Sequence, residues 1–531
     1  MSNFIALPKG VTEEVFAKAI KEYRALLGDD RVRTDPASLQ SYMKIMYPES
    51  MDLHIPSAAM YPRTVKEIQA ILAIANKYKT PLWTVSTGKN FGYGSAAPAT
   101  RGQIVIDLKT MDKIIHVDEE LGYCLVEPGV TYYDIQKYIK KHKMNLMISV
   151  PSPSAIVGPV GNSLDRGAGY TPYGDHFLFS CGMEVVMANG DVVRTGMGDV
   201  PNATSWQATK WGNGPYVDGI FTQSNYGIVT KMGFWLMKTP PPGGYLPFLM
   251  KFPKVEMLPE IIKTIMPLRL SQVIPNACVV VNSLLEAACY CNYDENGKPT
   301  SRDSYYRGKG ILPPQVIQQI IDKCNIGAWN FYAALYGSRE QVALAWKYVS
   351  GSFKAKFGNQ VEIVTAKEAK DDPNFEFRRQ MMMGGSSLQE FTYYNWRGGG
   401  GSVWFAPVAA ARPSESYKQV KIATEVLNKY GFDYLAEYIV GWREMHHIID
   451  LLYDRNQPEE MERAYKCYDE LLKVFARHGY GIYRTNPAFM EKAANTFGPE
   501  MRKIHRTLKK ALDPNNILAP GKSGINLDIP L

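Results

Sequence analysis

The sequence predicts an α+β protein built from two units followed by a structured C-terminal tail. Three observations carry this. Amphipathic helical stretches alternate with short β-branched strands through the first 240 residues, a proline-glycine break falls at 238–248, and longer helices follow before a structured basic tail. At 531 residues the chain has room for three or four domains, or for fewer large ones. Its 45% hydrophobic and 21% charged residues match ordinary globular proteins, which excludes disorder, collagen-like repeats and a membrane bundle.

Taken in order, VTEEVFAKAIKEYRALL (11–27) and TVKEIQAILAIANKYK (64–79) place apolar residues at helical spacing, the second with Thr64 as a capping candidate. The strand candidates are PLWTVST (81–87), QIVIDL (103–108), GYCLVEPG (122–129) and CGMEVVMANGDVVRT (181–195). In the last of these, Asn189-Gly190 between two apolar runs is a hairpin signal. KTPPPGGYLPF can continue neither a helix nor a central strand, so a boundary is expected there. Beyond it lie helices at 411–430 and 457–478 with strand-like pieces GSVWFAPVA and FDYLAEYIVG, then a basic helix, a DPNN turn and a Pro-Gly-Lys loop. The expected units are therefore 1–240, 241–480 and a C-terminal return, 481–531.

Lys+Arg 60 against Asp+Glu 52 gives a mild +8 with the signs interspersed, which does not indicate nucleic acid. Of seven cysteines the one close group is Cys289-x-Cys291, so neither a disulfide framework nor a structural zinc site is expected. The N-terminus lacks the pattern of a secretory signal, and no uncharged apolar run of 18 residues occurs. A cytoplasmic protein is the simplest expectation, with a periplasmic one open if the chain is exported alongside a partner. In REMHH (443–447) the histidines are adjacent rather than four apart, so the run reads as structural and no metal is expected.

Three segments carry candidate chemistry. STGKNFGYGS (86–95) follows a strand, and its glycines let backbone N–H groups approach an anion. GPVGNSLDRGAGYTPYGDH (158–176) holds five glycines, a density suited to wrapping a flat ligand and equally to a long surface loop. FTQSNYGIVTKMGFWL (221–236) reads as a turn into an apolar strand.

Together with VEPGVT (126–131) and the terminal DPNNILAPGKSG, these segments resemble, in the same order, the vanillyl-alcohol-oxidase-type FAD flavoproteins, from about residue 55 to the end. The resemblance implies a two-part FAD-binding domain plus an α+β substrate (cap) domain. It assigns FAD contacts to Gly88, Asn90, Phe91, Gly92, Ser152, Gly161, Asn162, Gly169, Tyr170, Gly174, Ile228 and Lys522, and adds Tyr170 and Trp396 to the substrate pocket. LQEFTYYNWRGGGGSVWFAPV (388–408), AEYIVGWREMHHIIDLLYDR and YGIYRTN are similar to the members that oxidise 4-alkylphenols. In members that tether FAD through histidine, the residue falls at Ser402. The tyrosyl alternative implies a covalent O-tyrosyl bond from Tyr394, with neighbouring Tyr393 as the second choice.

The same resemblance gives Tyr93 and Tyr483 the substrate phenol oxygen, Arg484 a place beside the flavin or phenolate, and Glu437 the activation of water. The family aspartate near the flavin falls at Ser152. Lys522 stands where the pattern has arginine, and lysine cannot make the same bidentate contact. The implied reaction is hydride transfer from the para-benzylic carbon to FAD, then water addition to a p-quinone methide. Electrons would pass to a separate c-type cytochrome subunit, since this chain has no C-x-x-C-H haem site. Molecular oxygen is the rival acceptor, a sugar or hydroxy acid the rival substrate, and a non-catalytic flavin carrier the third reading. A homodimeric core is implied as well.

Overall fold

Thr64 accepts a hydrogen bond from the Glu67 N–H (3.2 Å), which starts the helix Val65–Tyr78 where the sequence places it. This computed structural model describes residues 4–152, 155–290 and 301–529; Cys291 of the C-x-C pair lies outside them. The helix connects two strands of one sheet, whose order is Val32–Arg33, Ala58–Met60, Ile104–Asp107, Leu82–Val85. The last three run parallel, as a helical crossover requires. The helix and Glu13–Leu27 bury Ile68, Ile71, Leu72, Phe16 and Ile20 against Ile104 and Ile106.

An antiparallel five-stranded sheet follows, ordered Ile114–Asp118, Tyr123–Val126, Gly227–Trp235, Ser180–Met187, Val192–Arg194. The expected hairpin joins its last two strands: Gly190 takes a φ of 92°, and its N–H donates to the Met187 carbonyl (2.8 Å). The Pro-Pro-Pro-Gly-Gly run separates the short strand Met237–Lys238 from Tyr245–Phe252, which enters an eight-stranded antiparallel sheet extending to Glu444–Asp454.

Strand alternation splits the core of that large sheet. Phe248, Met250, Val280 and Tyr438 face a cluster covered by the helices Leu258–Leu270, Pro413–Lys429 and Pro458–Arg477. Leu249, Val279, Val281 and Tyr332 face the other way, into a cluster shared with Val126, Met183 and Val185 of the five-stranded sheet. Glu437 pairs with Val281 across the ladder and so looks toward that second face.

The C-terminal tail returns to the first sheet. Leu82 donates to Ile517 and accepts from Ala519, both at 2.7 Å. The fully buried Lys509 ammonium holds the turn, donating to Asp513 (2.6 Å) and to the carbonyls of Leu518 (2.6 Å) and Asn225 (2.9 Å). Among the described residues no helix is long and apolar enough to cross a membrane.

Candidate active site

The strand Leu82–Val85 delivers the glycine loop to the top of the first sheet. Gly92 has a φ of 78°, and a Cβ there would sit 2.3 Å from the Trp404 ring, so conformation and packing both require glycine. At Gly161 a Cβ would fall 2.2 Å from Ser86 Oγ. Gly88, Asn90, Gly161, Asn162, Ile228 and Lys522 line one cleft, with Arg484 at its edge. The remaining expected cofactor residues lie outside its lining. Phe91 packs on Phe391 (5.3 Å between rings), and Gly169 and Gly174 close a hydrogen-bonded turn (2.8 Å).

The loop also places Tyr93, buried, with its hydroxyl donating to Tyr483 (3.0 Å) although 390 residues separate the two. The Arg484 guanidinium stands over the Tyr93 ring at 4.5 Å and hydrogen-bonds Asn90 Oδ1. Behind it Asp165 sits 3.7 Å from Arg484 and 2.8 Å from Lys522. Burial opposes ionisation of Asp165, but the Lys522 and Arg484 charges outweigh it and hold the carboxyl below its usual range. Lys522 is thus engaged with Asp165. Burial, with the neighbouring phenol, raises Tyr93, while Arg484 pulls it back.

Opposite these phenols lies a buried acidic cluster. Glu437, 5% exposed, has one carboxylate oxygen without a partner. Burial first, then repulsion from Glu390, pushes it up to about 8, and its charge is felt at Tyr483. Tyr170 links the cluster to Ser152, with hydroxyls 2.9 Å apart. Glu390, from the 3-10 helix Gln389–Asn395, is raised by burial. Arg378 supplies the opposing charge and pairs with Glu286 at 3.0 Å, Glu286 accepting in turn from Tyr332 (2.6 Å). Asp450 is driven well above the carboxylate range by burial and then by Glu437 and Glu390.

Tyr393 and Tyr394 differ. The Trp404 indole N–H donates to the Tyr393 hydroxyl (2.8 Å), whereas the buried Tyr394 hydroxyl makes no hydrogen bond within 3.5 Å among the described residues, with Tyr393 and Ser402 close enough to oppose the rise that burial imposes on it. Trp396, expected in the substrate pocket, packs elsewhere. The chain leaves the 3-10 helix so that Trp396 accepts the Arg302 N–H at its carbonyl (2.9 Å) and meets Tyr305 at 6.0 Å. Trp404 takes the place against Tyr93, 5.3 Å away and edge-on. The adjacent histidines point to opposite faces of their strand. His447 bonds Tyr434 (2.7 Å) and Tyr438 (3.2 Å), while the ring of His446 lies 4.5 Å from Tyr483.

Sequence reasoning passed over Glu390, Arg378, Asp450, Trp404 and His446. Acids inside apolar or aromatic runs, Glu390 in QEFTYYNW and Asp450 in HHIIDLLY, were the available signal.

Glycines that admit no Cβ and the cations Arg484 and Lys522 lining the same cleft fit a flat, anionic dinucleotide. Fold and site define an FAD-binding oxidoreductase. Residues 56–196 match an FAD binding domain, and residues 329–523 match the C-terminal domain of FAD linked oxidases. The chain is 52% identical over 99% of its length to the 4-cresol dehydrogenase [hydroxylating] flavoprotein subunit of Pseudomonas putida, 99% of which is covered. The structure of p-cresol methylhydroxylase with substrate bound superposes with a TM-score of 0.96 at 52% identity, covering 99% of this chain and 100% of that one. That of 4-ethylphenol oxidase from Gulosibacter chungangensis, an isoeugenol complex, does so with a TM-score of 0.93 at 34% identity, covering 98% and 99%. The chain belongs to the vanillyl-alcohol-oxidase-type family of FAD flavoproteins.

Proposed function

We propose that the protein oxidises 4-alkylphenols at the para-benzylic carbon and hydrates the product, with residues 1–240 and 481–531 holding FAD and 241–480 forming the cap over the substrate. The observation that carries the reading is a buried pair of hydrogen-bonded phenols, Tyr93 and Tyr483, with a buried carboxyl, Glu437, whose charge reaches Tyr483. FAD, when bound, supplies the acceptor for hydride. Tyr93 and Tyr483 hold the substrate oxygen, and the Arg484 charge favours its phenolate form, from which hydride leaves more readily. Glu437, pushed up to about 8, is mostly protonated at pH 7, and its ionised form, which grows as pH rises toward 8, takes the proton of a water attacking the p-quinone methide.

FAD is held by an O-tyrosyl bond from Tyr394. The Tyr393 hydroxyl, held by the Trp404 N–H at 2.8 Å, supports that choice over the neighbour. Electrons pass to a c-type cytochrome subunit and the flavoprotein core is a homodimer; the first reading is supported by the likeness to a chain named as a flavoprotein subunit. Oxygen is the second reading, favoured by the likeness to 4-ethylphenol oxidase. An anaerobic titration with 4-cresol followed by oxygen tests both. Bleaching of the flavin by 4-cresol is expected, with slow recovery in air. No bleaching overturns the substrate assignment, and fast recovery with peroxide assigns an oxidase.

A further inference from the structure

Gln223 lies in the turn between the 3-10 helix Asp218–Phe221 and the strand Gly227–Trp235, and it lines the cofactor cleft. Its φ is 46°, in the left-handed region that residues other than glycine and asparagine seldom adopt, and such a conformation persists only where the surroundings fix it. Three hydrogen bonds do so. The Gln223 backbone N–H donates to the Leu164 carbonyl (2.7 Å), and the side-chain Nε2 donates to the carbonyls of Tyr483 (2.6 Å) and Asp165 (3.2 Å). Both side-chain partners are carbonyl oxygens, which only accept, so the amide must turn its nitrogen toward them. One side chain thus joins segments 58 and 260 residues away.

Those two carbonyls frame the phenol site. Asp165 lies 3.7 Å from the Arg484 guanidinium, Arg484 follows Tyr483 directly, and the Tyr483 hydroxyl meets that of Tyr93 at 3.0 Å. Through its N–H, Tyr483 is held by the Ala406 carbonyl (3.3 Å), just past the strand Gly400–Phe405 of the large sheet. Through its carbonyl it is held from the cofactor cleft, and that second hold is the Gln223 amide. Loss of the amide leaves the Tyr483–Arg484 pair attached to the large sheet while freeing its spacing from Asp165 and Tyr93, and a misplacement of about 1 Å is enough to weaken recognition.

We propose that Gln223 is a positioning residue for the phenol site, its amide tying the Tyr483 carbonyl to that of Asp165 so that Tyr483 and Arg484 stand at a fixed distance from Tyr93 and the substrate oxygen. The inference rests on the reading of Tyr93 and Tyr483 as the holders of that oxygen. Gln223 acts through the backbone of Tyr483, so its loss moves the Tyr483 hydroxyl and the Arg484 charge together. Both groups favour the phenolate over the phenol, so their displacement weakens binding and raises the pH at which the bound phenol ionises.

The test uses the FAD-loaded protein and 4-fluorophenol, which has the phenol oxygen and no benzylic C–H to lose. Affinity is measured by calorimetry, and ionisation of the bound phenol by its ultraviolet difference spectrum across pH. Gln223→Met keeps the length of the side chain and has no donor. It is expected to bind 4-fluorophenol about tenfold more weakly, within the range for a carbonyl left without its donor, and to ionise the bound phenol at a pH about one unit higher. A role confined to folding lowers the melting temperature and leaves both readings at wild-type values, and that outcome overturns the inference. Should the variant not fold or not load FAD, hydrogen exchange in the wild-type holoenzyme decides. There 4-fluorophenol is expected to slow exchange at 221–225 as well as at 480–486, and no slowing at 221–225 overturns the inference. Wild-type affinity in Tyr483→Phe has a different meaning, because it removes the reading of the phenol site itself.

Discussion

Glu437→Gln separates the two halves of the reaction and tests the energetics of the acidic cluster at once. Glutamine keeps the shape and cannot ionise. In the folded protein Glu437 is pushed from 4.5 up to about 8, chiefly by burial and then by Glu390. A carboxyl whose folded value is raised contributes stability that is fully present below about 4.5 and is lost as pH rises through about 8. At pH 7 an ordinary glutamate has released its proton and Glu437 has kept it, which at about 1.4 kcal/mol per pH unit from 4.5 to 7 amounts to ~3 kcal/mol. Glu390 and Asp450 readjust when Glu437 changes, so about half of that, ~1.5 kcal/mol, is the difference to look for. The assay is thermal melting of the FAD-loaded protein between pH 5 and pH 8. The wild type is expected to lose stability across the interval, and Glu437→Gln to lose less, so that the two diverge as pH rises. Rapid mixing with 4-cresol supplies the chemical half: anaerobic flavin bleaching within about threefold of wild type, with formation of hydroxylated product down about 100-fold. Parallel melting curves at every pH refute the placement of Glu437 as a buried neutral acid. An unchanged hydration rate refutes its role as the base.

Three further outcomes follow from the site. Tyr394→Phe is expected to release FAD on acid precipitation, leaving a colourless pellet. Tyr93→Phe and Tyr483→Phe should each lower kcat/KM for 4-cresol about 100-fold. Their double variant should cost less than the product of the two, because the hydroxyls bond each other, as a steady-state cycle would read. Gly92→Ala forces a Cβ into Trp404 at a φ of 78° and is expected to cost at least about 2 kcal/mol, with loss of FAD affinity in a fluorescence titration.

Local physics was legible in the sequence and spatial convergence was not. Thr64, the Asn189-Gly190 turn and the proline-glycine run act through their own backbone, and each sits where its chemistry predicts. Tyr93 and Tyr483 meet across 390 residues, a contact no periodicity encodes; only the ordered resemblance brought them together. Strand alternation separates two tryptophans: Ser402 and Trp404 share the inward face of a strand, while Trp396 lies before it and turns toward the Arg302 loop. Arg378 looks like an ordinary surface charge until the fold buries it, while Glu390 and Asp450 stand in apolar or aromatic runs that mark them as buried without saying that they meet. His446, dismissed with its neighbour as structural, gained its position from strand alternation, which sends adjacent side chains to opposite faces.

The returning tail sets an order on assembly. Leu82 cannot complete its edge until Ile517 and Ala519 arrive, Lys509 is anchored by Leu518 from the same stretch, and the cofactor cleft takes Lys522 from the loop just beyond. During synthesis, which releases the N-terminal end first, the nucleotide cleft therefore stays open until residues 509–522 have left the ribosome. Loading with FAD in this way reports that the returning tail has docked. A prematurely terminated chain keeps most of its hydrophobic core, yet it lacks both the strand edge and the lysine that close the cofactor's seat.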